Sequence, residues 1–389
     1  MPPSPMPPSP ELLSCKRHLF DLPDEIAYLN CAYMSPLTRA AIEAGTNAVK
    51  AKAQPWHTSA KDFFTESEIT RGLFAELVGA DREGIAIVPS ASYGISTAAA
   101  NLPLSAGDEI LVLAEQFPSN IYPWVRKAKA TGATIHTVKR TSWKDAWTPA
   151  ILDAITQKTR IIALPHCHWT DGSWIDLKQV SQKAKSIGAA LVLDLAQSAG
   201  ALPINMSEIE PDFAVAPTYK WLMGPYALGF LYVAPRRRDG CALEENWLNR
   251  KDSADFAGLV DYEDEYQPGA RRFDMGERAN FQLMPMAKSA LESLLDWGVE
   301  NIAATLRAKT DDIARRAIHL GLETGARDNR APHFLGLRFP DGPPANLLDH
   351  LNAHNVFVSQ RGTSIRVTPN VYNNDADIDR LFAALKTCR

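Results

Sequence analysis

Cysteine is scarce and scattered. The five cysteines, at positions 15, 31, 167, 241 and 388, are odd in number and form no C-x-x-C pair. Neither a disulfide framework nor a paired-thiol zinc site is expected, and free thiols point to a reducing cytoplasm. Long apolar runs are missing as well. No stretch approaches the roughly 20 residues of a membrane span, so no membrane partner is expected. Basic surplus is absent: 41 Lys+Arg face 45 Asp+Glu, for a net charge of −4. That balance argues against nucleic acid or an anionic membrane surface as partner. No basic helix-turn-helix extension is visible, which weakens a reading as a non-catalytic amino-acid sensor that regulates DNA. Neither G-x-G-x-x-G nor G-x-x-x-x-G-K-[ST] follows a candidate strand, which weakens a nucleotide-binding reading.

Proline, by contrast, is concentrated at the start. The first ten residues repeat one pentapeptide, Met-Pro-Pro-Ser-Pro. They carry neither the cationic nor the apolar segment of a secretory signal, and residues 1–10 are expected to form a disordered extended tail.

The remaining chain is rich in alternation. Short apolar runs at 84–89, 109–113, 134–138, 160–165, 190–194, 212–216 and 229–233 are separated by helical patterns, among them 36–50, 66–78, 120–130 and 177–186. Such alternation predicts an α/β layered domain with a mostly parallel, seven-stranded sheet. Residues 236–275 read as irregular and charged. Two long helices, 281–297 and 301–320, follow them. Short strands at 333–339, 355–359 and 364–368 and helices at 345–353 and 375–385 predict a smaller C-terminal α+β domain. The expected division is a tail at 1–10, an N-terminal segment at 11–34 packing on the small domain, a large domain at 35–265 and a small one at 266–389.

In α/β sheets ligands gather at the carboxyl ends of the strands. Two residues there stand out. Asp194 ends the apolar run Ala190-Leu-Val-Leu-Asp194, and Lys220 follows 26 residues later, just beyond another strand. A lone lysine is ordinarily a solvated surface charge, but this one sits inside Phe213-Ala-Val-Ala-Pro-Thr-Tyr-Lys-Trp-Leu-Met-Gly224. A strand-end carboxylate and a lysine in an apolar run are what pyridoxal 5'-phosphate needs. The lysine forms the Schiff base and then serves as a base at the substrate Cα, while the aspartate keeps the pyridine nitrogen protonated. Gln197, three residues after Asp194, is placed to meet the cofactor's phenolic oxygen. Its alternative is a polar residue in the first turn of a following helix. Val88-Pro-Ser-Ala-Ser-Tyr-Gly94 leaves a strand and opens a helix, so its N–H groups and Ser92 suit a phosphate.

These blocks, from Tyr28-Leu-Asn-Cys-Ala to Ile365-Arg-Val-Thr-Pro-Asn, resemble the class V aminotransferase family of fold type I enzymes dependent on pyridoxal phosphate. The family includes cysteine desulfurases, selenocysteine lyases, kynureninases and isopenicillin N epimerase-like proteins. The resemblance implies the fold type I transferase architecture and a cytoplasmic homodimer with active sites near the subunit interface. It implies a phosphate turn at Ala91 and Ser92, a ring-stacking Phe117, a ring-nitrogen partner in Asp194 and a phenolic-oxygen partner in Gln197. Lys220 becomes the Schiff-base lysine. Tyr219 stands in place of a phosphate-binding histidine, and Trp169 in place of an asparagine near the cofactor. Arg366 looks like the clamp for a substrate α-carboxylate, and Asn30 and His57 are candidates for the substrate pocket. A helix-surface position is the alternative for His57.

Departures narrow the reaction. The stretch Val358-Ser-Gln-Arg-Gly-Thr-Ser-Ile-Arg366 has no desulfurase cysteine, and Phe117 cannot carry a proton as a stacking histidine does. Gly276-Glu-Arg278 replaces the Gly-Thr-Pro that reaches a neighbouring subunit's phosphate, with Arg278 as a possible substitute. The pair in His166-Cys-His168 lacks a second ligand pair with metal spacing, so no metal is expected. The expected activity is a C–S lyase-like or epimerase-like reaction at the Cα of an α-amino acid. Transamination is the alternative, and a non-catalytic sensor of cofactor or amino acid is the second.

Overall fold

The computed structural model describes residues 9–388; all but the end of the expected tail lies outside that range. Thirteen strands run in chain order among the described residues. They are β1 (Ala27–Tyr28), β2 (Ile85–Val88), β3 (Glu109–Leu113), β4 (Thr134–Val138), β5 (Thr159–Pro165), β6 (Ala190–Asp194), β7 (Phe213–Pro217), β8 (Gly229–Val233), β9 (Glu323–Thr324), β10 (Leu335–Arg338), β11 (Val356–Phe357), β12 (Ser359–Arg361) and β13 (Ser364–Val367). The helices are α1 (Arg39–Ala51), α2 (Thr65–Leu77), α3 (Ala91–Asn101), α4 (Tyr122–Thr131), α5 (Trp147–Ala154), α6 (Leu177–Ile187), α7 (Met206–Ile209), α8 (Met284–Trp297), α9 (Val299–His319), α10 (Leu347–Ala353) and α11 (Asp375–Thr387).

The large sheet has the order β2-β8-β7-β6-β5-β3-β4, and only β8 runs against its neighbours. Its strands, the edge strand β4 excepted, are apolar on both sides because both faces are covered, as parallel sheets require. Alternation sorts the side chains. Ile110, Val112, Ile161, Ala163 and Val192 pack under α3 and α4. Leu111, Leu113, Ile162, Leu164 and Leu193 face the opposite layer with Trp147 of α5, Val180 of α6 and Leu291 of α8.

The register lines up the functional edge. Pro165 pairs with Asp194, Asp194 with Val215, Pro217 with Gly229, and Gly229 with Val88. The loops that leave this edge hold Ser90–Ser92, Gln116–Phe117, His166–Trp169, Ala196–Gln197 and Thr218–Lys220. The chain steps from β3 outward to β4 and then back to β5 on the other side of β3. That reversal is the kind of switch point where α/β sheets bind ligands.

The second sheet, β12-β13-β10-β9, is antiparallel. It packs with α9, α10 and α11 around Leu335, Leu337, Ile365 and Phe382. The N-terminal segment joins this layer. β1 pairs with β11, and Arg17 binds Asp377 at 2.9 Å. The alternative place for Gln197, the first turn of a helix, does not hold: the residues after Asp194 form successive turns, and Gln197 is in no helix.

Candidate functional site

The cleft at the strand ends is lined by Phe117, Trp169, Asp194, Gln197 and Lys220, together with Gln116, Pro165, Cys167 and Ala196. Five residues expected from sequence therefore meet in one place. The Lys220 Nζ lies 5.5 Å from the Phe117 ring centre and 5.4 Å from that of Tyr219. Phe117 meets the Trp169 ring edge-on at 5.4 Å.

Local chemistry holds Lys220 in position. Thr218 Oγ1 donates to the carbonyls of Pro225 and Leu228, at 2.5 and 3.0 Å, and closes the turn around the lysine. Gly200 (φ +93°) lies against the Trp221 carbonyl, where a Cβ would come within 2.5 Å, so only glycine permits this approach. Cys31 Sγ faces the Lys220 carbonyl, and Ala32 O accepts from Gln197 Nε2 at 3.1 Å. The N-terminal segment thus forms one wall.

Burial governs the electrostatics. It pulls the Lys220 amine down to about 8; Asp194 opposes this, while Arg366 and Arg361 add to it. Asp194 is buried, and loss of water raises its pKa despite the Ala196 N–H and Lys220. Among the described residues only its Oδ1 has a protein donor, Ala196 N–H at 2.9 Å. Tyr219 is pushed up to about 12 by burial and by Tyr226, Asp194 and Tyr33, so it is a neutral phenol able to donate. Gln197 Oε1 accepts from Trp221 Nε1 at 3.0 Å, and its backbone carbonyl meets His333 Nε2 at 2.6 Å. One amide hydrogen of Gln197 remains for a ligand.

These residues fit pyridoxal phosphate. A buried carboxylate short of donors suits a protonated ring nitrogen, and Gln116 Oε1 is buried without a partner. At α3, Ser90 caps the helix by accepting from Tyr93 N–H at 3.1 Å, and Ser92 Oγ stands 2.9 Å from Ser90 Oγ. The first helical N–H groups, at Ala91 and Ser92, have no intrahelical acceptor. Gly94 brings α3 onto β7, where a Cβ would sit 2.6 Å from Val215.

Arg366 is buried on β13, pairs across to Ser359, and donates from Nη1 to the Trp169 carbonyl at 3.0 Å. Asn30 lies beside it and accepts from Ser359 Oγ at 2.5 Å. Trp169 spends its indole N–H on the Glu115 carbonyl at 2.6 Å, so it offers the cleft a ring face and no donor.

Two residues singled out in the sequence lie away from this cleft. His57 is exposed and lines a separate cavity of about 600 Å³ beside Lys52, Phe63 and Phe281. That cavity is far larger than the cleft, but neither Asp194 nor Lys220 lines it. Arg278 is fully buried and bound to Asp274 at 2.5 Å within its own subunit. His166 and His168 are buried imidazoles. His168 contacts Thr170 and the Ala114 carbonyl, and burial holds His166 at about 3. Among the described residues no three His, Cys, Asp or Glu side chains gather as a metal site. Ser90 and Gln116 are legible in the sequence only by their place at the strand ends, and Arg361 is not legible as a site residue there. The capping position of Ser90 was readable from its place before α3, whereas Arg361 sits in a short hairpin with no local signature.

The pattern of the aminotransferase class-V family matches residues 28–381. An uncharacterized aminotransferase of Bacillus subtilis, YcbU, is 27% identical over 348 residues, covering 89% of each chain. Kynureninase of Deinococcus radiodurans is 29% identical over 79% of this chain and 74% of its own. Isopenicillin N epimerase of Streptomyces clavuligerus is 24% identical over 92% of this chain and 94% of its own. In fold, the chain superimposes on the cystine C–S lyase C-DES with a TM-score of 0.86 at 19% identity, covering 94% of this chain and 98% of that one. The chain belongs to the aminotransferase class-V family and is a pyridoxal-phosphate-dependent enzyme of fold type I.

Proposed function

We propose that the enzyme acts at the Cα of an α-amino acid, as a C–S lyase-like or epimerase-like member of its family. Lys220 and Asp194 hold the cofactor with Gln197, Phe117 and Trp169, and Ala91, Ser92 and Tyr219 take its phosphate. When bound, pyridoxal phosphate supplies an electron sink beside the substrate Cα. The chain's own groups do the rest. Arg366 clamps the α-carboxylate through its planar fork. Asn30 holds Ser359 on the strand opposite Arg366. Lys220 removes and returns the Cα proton, and its low pKa keeps much of the amine neutral near pH 8. Phe117 and Trp169 cover the site and exclude water.

One observation carries this reading. Of the residues lining the cleft, only Cys167, Asp194 and Lys220 titrate. Burial pushes the Cys167 thiol well above its usual range, and Cys31 up to about 12, so neither is a ready nucleophile. Lys220 is left as the base, and persulfide formation has no thiolate to use. Transamination is the second reading, favoured by the likeness to the Bacillus aminotransferase. We further propose a cytoplasmic homodimer. Tyr33 and Tyr226 stand 57% and 64% exposed beside Tyr219, an aromatic surface of the kind subunits cover.

The purified protein is expected to show a Lys220-dependent absorbance at roughly 420 nm with pyridoxal phosphate. Amino acids are then screened for pyruvate, sulfide, keto acid and loss of optical rotation together. Elimination or racemisation supports the proposal, and keto acid formation alone selects the aminotransferase. No chromophore, or one unchanged in Lys220→Ala, sinks it.

A further inference from the structure

The hairpin that carries Arg366 carries a second cation. Ser359 lies opposite Arg366, and Arg361 lies opposite Ser364. Residues 359 and 361 share one face of β12, as 364 and 366 do on β13. Arg361 and Arg366 are therefore diagonal neighbours on the same face, a spacing that long side chains bridge. Both guanidiniums approach the Trp169 ring, at 5.3 and 5.9 Å from its centre. Trp169 in turn meets Phe117, which stands against Lys220.

Neither guanidinium has an acidic partner among the described residues. Arg361 donates to the carbonyl of its own neighbour Gln360 at 2.6 Å. Arg366 donates to the Trp169 carbonyl, and its buried Nε has no acceptor. This sets Arg366 apart. The other buried arginines, Arg17, Arg71, Arg271, Arg278 and Arg330, each bind a carboxylate. Burial together with the neighbouring Arg361 cation lowers Arg366 to about 10. Arg361 and Arg366 both act on Lys220 as cations, and Asp194 is the carboxylate that opposes them. A buried charge without a partner is costly. One α-carboxylate answers Arg366 and leaves Arg361 over an aromatic face.

We propose that Arg361 is a second anion-binding residue of this site, and that the substrate is an acidic α-amino acid whose side chain ends in a carboxylate or a similar acid. The inference rests on the reading of Arg366 as the α-carboxylate clamp. Arg361 then takes the distal acid, and Trp169 lies beneath both.

The test compares two unreactive acids of equal length on the holoenzyme, succinate with two carboxylates and butyrate with one. Binding is read from the cofactor absorbance and from tryptophan fluorescence, without turnover. Succinate is expected to bind at least about 10-fold more tightly. Arg361→Gln removes that preference and leaves butyrate binding unchanged, Arg361→Lys keeps part of it, and Arg366→Gln weakens both ligands. Equal binding of the two acids by the unaltered enzyme overturns the proposal. So does Arg361→Gln weakening both equally while the cofactor absorbance is retained. A Lys220-dependent chromophore without dianion preference defeats this inference alone; absence of that chromophore defeats the reading of the site and this inference with it.

Discussion

At the scale of single residues, Lys220 carries an amine that the surrounding protein holds near pKa 8 against an ordinary value of 10.5. Folding thus weakens its hold on a proton. Between about pH 8 and 10.5 the unfolded chain binds more protons than the folded one, so stability rises with pH across that window. Below pH 8 the penalty is fully present, about 3 kcal/mol on the scale of 1.36 kcal/mol per pKa unit. Lys220→Met removes the charge and keeps the apolar stem. With the cofactor stripped, this variant is expected to be more stable than the parent at pH 7, and the advantage should shrink as pH rises through 8 to 10. Urea unfolding midpoints at pH 7, 8.5 and 10 measure it. A variant no more stable at pH 7 would mean that the native site already compensates the ammonium.

At the scale of elements, the site depends on where α3 meets β7. Gly94 has ordinary helical geometry, so its role is closeness alone. A methyl group there would come within 2.6 Å of Val215. Gly94→Ala is expected to cost about 1–3 kcal/mol by overpacking and to lift the Ala91–Ser92 end of α3 from the sheet. Pyridoxal phosphate affinity, measured by fluorescence titration, should fall, while Ser92→Ala should spare stability. Much of this element layout was legible in the sequence. Asp194 and Lys220 could be read because a charge that ends or follows a fully apolar strand has few solvated alternatives. Strands such as 109–113, 134–138 and 229–233 lay in runs dominated by apolar and β-branched residues, and the structure keeps those bounds. What failed had no local signal. Arg361 reads as a surface arginine until β12 folds against β13. His57 lies in an exposed one-turn segment, Pro55–His57, that buries no residue to fix its direction from the sequence. The turns after Asp194 mimic a helix start, because Gln197 and Ser198 suit either conformation.

At the scale of the whole molecule, a buried charge network ties α2 to the edge of the large sheet and to residues 269–278. Asp274 accepts from Ile87 N–H at 2.6 Å, from Arg71 at 2.7 Å and from Arg278 at 2.5 Å. Glu68 completes the network by meeting Arg71 at 3.1 Å, Arg271 at 2.8 Å and Arg278 at 3.4 Å. Arg271 is also held by Glu83 at 2.5 Å, so Arg71 and Arg278 are the two cations that Glu68 and Asp274 share, and loss of Glu68 leaves both on one acid. Burial raises the Glu68 pKa, but Arg71, Arg271 and Arg278 outweigh it and hold the group at about 2 against an ordinary 4.5. A depressed acid stabilises the fold above its unfolded pKa, and that support is lost as pH falls through its folded pKa. Glu68 should contribute fully above pH 4.5 and fade towards pH 2. Its full value is about 3 kcal/mol by the same conversion. Glu68→Gln keeps the shape and removes the charge, so it is expected to lower stability by up to that amount at pH 7. The gap to the parent should narrow below pH 4.5 and close near pH 2. Denaturant midpoints for both proteins at pH 7, 4 and 3 decide the matter. A gap that does not change with pH would assign Glu68 a packing role, with Arg71 and Arg278 held by Asp274 and Arg271 by Glu83.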